Sequence, residues 1–115
     1  MLAHGALLRK NFFSVEELIA IVKDFHQANL SEEEVALMAF AQKITTDAHH
    51  ISEKDYSELR GFGLTDADIL DVVLASTARN FFSKTLDALG AAPDDIYMDL
   101  EPELVEALAI GRAYP

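Results

Sequence analysis

With 115 residues, half of them hydrophobic and none of them cysteine, the chain is long enough to bury one core. It has no means of forming disulfides, thiolate metal sites or a peroxidase cycle run on its own thiols. Twenty acidic against nine basic side chains leave a formal charge of −11, which repels phosphate backbones and anionic headgroups and argues against nucleic-acid or membrane partners.

No stretch approaches the ~20 consecutive apolar residues of a membrane span, and no charged-then-apolar leader with a cleavage site is present. The expectation is a cytoplasmic protein with one domain over 1–115. Its apolar supply is generous for a monomer of this size and points to subunit contacts.

The first predicted helix is 2–10, in MLAHGALLRK. His4 follows a small residue, leucines follow the histidine, and no capping residue comes before them, so the stretch reads as a helix entered partway along. The second is 14–28. Ser14 and Glu17 have capping-box spacing, and Phe13 with Leu18 has the spacing of a hydrophobic staple. Val15, Leu18, Ile19, Val22 and Phe25 form its apolar face. His26 lies near its end, where the helix dipole favours a cation, and reads as a surface residue.

The third helix, 31–46, opens on Ser31 with Glu34 and on the staple Leu30 with Val35. Glu32-Glu33-Glu34 reads as a first turn facing water. Val35 to Ala41 is apolar all the way round, which implies burial on all sides, either as a central helix or between subunits. His49-His50 after Asp47 falls in a loop; without a converging third ligand it reads as solvated rather than metal-binding.

The fourth helix, 52–61, has Ser52 with Asp55 and Ile51 with Tyr56; the fifth, 65–89, has Thr65 with Asp68 and Leu64 with Ile69. Ile69-Leu70 with Val72 to Ala75 covers more than half the fifth helix's circumference. Phe81-Phe82 with Leu86 and Leu89 offer a pocket lining or, the favoured reading at helical spacing, a core stripe. Arg79, in a mainly apolar helix, is expected to be buried with an acid partner, as a structural ion pair or as the holder of an anionic substrate. Gly90 is the expected C-cap and Pro93 with Asp94 and Asp95 ends the region. Ala91 to Leu100 is expected to be an extended connection, followed by a sixth helix over 102–112.

An internal repeat accompanies these elements. At an offset of 51, Leu8-Arg9 falls on Leu59-Arg60, Ser14 on Thr65, Glu17 on Asp68, Leu18-Ile19 on Ile69-Leu70 and Ile21-Val22 on Val72-Val73. These features, matched in register, favour a duplicated helical hairpin.

His4 to Arg9 followed by Ser14 to Leu18, Leu30 to Leu37, Gly63 to Asp68 and, most specifically, Asn80-Phe81-Phe82-Ser83-Lys84-Thr85-Leu86-Asp87-Ala88-Leu89-Gly90 together resemble a known family. It is the alkylhydroperoxidase D and carboxymuconolactone decarboxylase family, in its peroxidase-related branch, and the similarity covers residues 1 to about 95. The resemblance implies an all-α, alkylhydroperoxidase D-like bundle of about six helices and a homo-oligomer, trimer or hexamer, with no cofactor or metal.

In the family's peroxidases a Cys-x-x-Cys pair stands at the start of the histidine helix, its second cysteine four positions before the histidine. A helix N-terminus lowers a thiol's pKa, and the histidine with an upstream glutamate relays the proton. Only His4 of that set has a counterpart here. The chain is therefore expected to be inactive as a thiol peroxidase. Either the start is placed too far downstream, or the chain has been shortened.

The alternatives are a cofactor-free lactone decarboxylase-like enzyme, with His4 as acid/base and Arg79 binding a carboxylate, and a non-enzymatic oligomeric interaction module.

Overall fold

The computed structural model describes residues 1–109. Among them the elements are helical throughout: α1 (Leu2–Asn11), α2 (Val15–Lys23), α3 (Glu32–Asp47), α4 (Glu53–Gly61), α5 (Asp66–Leu89) and α6 (Pro102–Leu108).

The helix starts follow the capping chemistry. Ser14, Ser31 and Thr65 each accept the backbone N–H of the residue three on, at 3.1 Å, and Glu17, Glu34 and Asp68 each accept the cap's own N–H at 2.7 to 2.8 Å. At Ser52 only half the box forms. Asp55 accepts the Ser52 N–H at 2.7 Å, while the Ser52 hydroxyl donates to the same carboxylate at 3.1 Å. The α1 start, at Met1, has no side-chain cap.

Two boundaries differ from the sequence expectation. The second helix stops at Lys23 instead of running to 28, because Asp24 leaves helical geometry (φ −162°, ψ 101°) and caps a separate 3-10 turn, Phe25–Gln27. The stretch expected to be an extended connection contains a 3-10 turn at Asp95–Asp99. Positions 110–112 of the sixth expected helix lie outside the described residues. Gly90 ends α5 in the left-handed region (φ 71°), and its N–H and that of Ala91 bond back to Asp87 and Leu86 carbonyls.

Contacts divide the chain into two compact units. The first joins residues 1–30 to the described residues from Ala92 onward. Leu2, Val15, Leu18, Leu104 and Leu108 are its buried centre, with Phe13, Ile19, Val22, Tyr97, Leu100 and Val105 packed around them. A Cβ on Gly5 would overlap Leu108 Cδ1, so glycine lets α1 and α6 approach closely. Arg9 closes the same pair by donating to Glu101 Oε1 from Nε at 3.0 Å and Nη2 at 2.8 Å.

The second unit, Ser31–Ala91, is α3, α4 and α5 around Ala36, Phe40, Ile44, Leu59 and Ile69. Phe40 meets the Tyr56 ring edge-to-face at 6.1 Å. Lys43 Nζ lies 2.9 Å from both Asp55 oxygens and ties α3 to α4.

The expectation that α3 is a central helix enclosed by its own chain is corrected here; the alternative, burial between subunits, concerns the faces that a single chain leaves open. Only Ala36, Phe40 and Ile44 are buried on that helix, and Met38 is 37% exposed. On α5, Ile69 is buried but Leu70 and Leu74 are 55% and 56% exposed. Three helices around one centre give each helix a single inner face, whatever apolar residues its other faces carry.

Candidate functional site

The hollow formed within the second unit is a shallow cleft of about 310 Å³. The first turns of α3 supply Glu33 and Leu37, the α4–α5 turn supplies Phe62, Gly63 and Leu64, and α5 supplies Asp68, Asp71 and Val72. The turn takes this course because Gly63 adopts φ 91°, and the Gly63 and Leu64 N–H groups bond back to the carbonyls of Arg60 (2.9 Å) and Leu59 (3.4 Å).

Leu37, Phe62, Leu64 and Val72 make an apolar floor, and Glu33, Asp68 and Asp71 add carboxylates. The Asp68 pKa is lowered by the Thr65 backbone N–H and then by the Thr65 hydroxyl. At neutral pH it is a fixed anion and no general acid. The cleft offers negative charge beside hydrocarbon, and its lining brings no imidazole, hydroxyl or amine for nucleophilic chemistry. Sequence reasoning singled out Asp68 and Leu64 for their part in the helix start. It missed the cleft because only the reversal at Gly63 brings Phe62 and Leu64 beside α3.

His4 lies in the first turn of α1, on the exposed side opposite the buried Leu2 and Gly5. Arg79 lies on α5 in the other unit. It is exposed, where a buried, acid-paired guanidinium was expected. Its Nη2 donates to Ser83 Oγ at 3.4 Å and its guanidinium sits 5.6 Å from the Phe82 ring centre. The reason is that α5 packs through Ile69, Val72 and Val73 near its start, while from Phe81 to Leu89 every residue but Ser83 is exposed. The expected core stripe is likewise exposed, with Phe81 at 76% and Leu89 at 79%.

His26 is a surface residue, as its position suggested. Its Nδ1 lies 3.1 Å from Asp24 Oδ1, and its ring stacks on Phe25. His49 and His50 are exposed in a 3-10 turn, Ala48–His50, where His50 Nδ1 bonds to Asp47. Among the described residues no three His, Asp or Glu side chains are arranged to hold a metal ion, and no helix is long and apolar enough to cross a membrane.

Comparison with protein-family models, curated proteins and solved structures finds no match to this chain.

Proposed function

We propose that this chain is a peroxidase-related protein of the alkylhydroperoxidase D and carboxymuconolactone decarboxylase family, inactive as a thiol peroxidase in its cysteine-free form. The observation that carries this reading is the Asn80–Gly90 segment, which ends α5 on a left-handed glycine, together with His4 on α1. The wholly helical character of the described residues agrees with the family's fold. So does the recurrence of helix, short turn, cap and helix in α1–α2 and α4–α5, which we read as the duplicated hairpin.

Within that reading, His4 is the proton-handling group, and the 115 residues themselves hold no thiol for it to serve. A thiol four positions earlier would stand one helical turn away on the same face. Its pKa would be lowered by the helix terminus and its proton taken by the imidazole.

The test supplies that thiol. The chain as it stands is expected to reduce no organic hydroperoxide with a dithiol reductant. A chain extended by one helical turn, with Cys-x-x-Cys ending four positions before His4, is expected to do so. His4→Ala in the extended chain is expected to remove the activity. No turnover by the extended, folded protein contradicts the proposal. The lactone decarboxylase reading is weakened by the exposure of Arg79, which leaves no enclosed carboxylate site around it.

A further inference from the structure

The cleft of the second unit holds charge that its own chain leaves uncompensated. Its two helical walls repeat one pattern, a carboxylate followed four positions on by an aliphatic side chain: Glu33 with Leu37 on α3, Asp68 with Val72 on α5. That spacing puts both groups on one helix face, a turn apart. Asp71 adds a third carboxylate. Among the described residues the Glu33 and Asp71 carboxylates make no ion pair. No basic side chain lines the cleft, and Arg60, just before the α4–α5 turn, is held by Glu53 and Asp66. The positive ends of the α3 and α5 dipoles amount to about half a charge each, which leaves the three anions in excess.

The floor is hydrocarbon already held in place. Leu37, Leu64 and Val72 pack against the buried centre of the unit, Phe62 is 37% exposed, and the space beside Gly63 is open. We propose that this cleft binds a small organic ammonium ion, a molecule with a cationic amine beside one ring or a short alkyl chain. The amine lies among the carboxylates and the hydrocarbon lies on the floor.

Charge, size and the arrangement of the acids select this occupant. Among the described residues no three acids converge as a bare metal ion requires, whereas an amine with hydrocarbon attached meets the acids and the floor together. A neutral or anionic molecule on the same floor would strip water from the carboxylates and put nothing in its place. The volume of about 310 Å³ is at the small end of small-molecule sites, which begin near 300 Å³, and corresponds to roughly ten molecules of liquid water. A stable protein partner covers about 20–30 residues on each side, and eight line this cleft.

The proposal does not rest on the family reading, and the hydroperoxide test above leaves it untouched. Amide NMR of the full chain titrated with phenethylammonium is expected to show saturable shifts confined to the surroundings of Glu33, Gly63 and Asp71, half complete at about millimolar ligand. Phenethyl alcohol and hydrocinnamate, which keep the ring and lose the cation, are expected to bind about tenfold more weakly. Glu33→Gln and Asp71→Asn, both at exposed positions, are each expected to weaken phenethylammonium by up to about fivefold, with unchanged far-ultraviolet circular dichroism. Phe62→Ser is expected to weaken it through the floor. The absence of saturable shifts overturns the proposal, as do shifts spread over the whole acidic surface, equal binding of the alcohol, or charge variants that bind as tightly as the parent. A peptide bearing lysine beside phenylalanine that binds far more tightly than phenethylammonium overturns it in favour of a protein partner.

Discussion

Gly5 shows how far a single residue controls the first unit. It sits against Leu108, and any Cβ there overlaps a side-chain methyl of that leucine. Gly5→Ala is expected to destabilise the protein by about 1–3 kcal/mol, an overpacking cost that outweighs alanine's better helix propensity. Urea unfolding of the two proteins measures it. A variant as stable as the parent would show that α6 shifts freely.

The carboxylates set the pH dependence. Asp55 is held below the usual carboxylate range by Lys43 and then by the Ser52 N–H. Asp68 is held there by Thr65, and Glu101 by its own backbone N–H and then Arg9. A group whose pKa is depressed by folding contributes stability above its unfolded value and loses it as pH falls through the folded one. Stability is therefore expected to hold from pH 7 to about 5 and to decline below about 4. Asp55→Asn should be less stable at pH 7, with the gap closing as pH falls. A gap independent of pH would contradict these assignments.

At the scale of elements, the helix starts were the most legible part of the sequence. A side-chain oxygen three residues before a carboxylate is a local device, and local devices survive whatever the rest of the chain does. Thr65→Ala is expected to cost about 1 kcal/mol, read by thermal unfolding, with the loss of protection from hydrogen exchange concentrated in the first turns of α5. Uniform loss across both units would contradict a local cap role.

Burial was much less legible. The apolar circumference of α3 and the Phe81–Leu89 stripe both suggested enclosure, yet periodicity records only which residues are apolar and not how many neighbours exist to cover them. Arg79 was misplaced for the same reason, because an apolar neighbourhood in sequence does not bring packing in space. The end of α2 at Lys23 escaped notice because Asp24 competes with the helix through its own side chain, which accepts the His26 N–H at 3.0 Å.

At the scale of the whole molecule, helical class followed from caps and staples, whereas the division of the core into two clusters depends on which distant segments meet. Leu104, fully buried, packs with Leu2, Val15 and Leu18 across most of the chain's length, and nothing near it in sequence announces that. Leu104→Ala is expected to cost about 2–5 kcal/mol, with hydrogen exchange accelerated in α1, α2 and α6. An unchanged unfolding midpoint would contradict its place at the centre of that unit.

The acidic cleft was invisible for the same reason, while the proposed role of His4 rests on a linear pattern alone. The most direct test of the account is thiol-dependent hydroperoxide reduction by the chain carrying Cys-x-x-Cys one turn before His4. The account predicts turnover that depends on the second cysteine and disappears in His4→Ala. A folded, cysteine-bearing protein that reduces no hydroperoxide, or one whose activity is indifferent to His4, would contradict it.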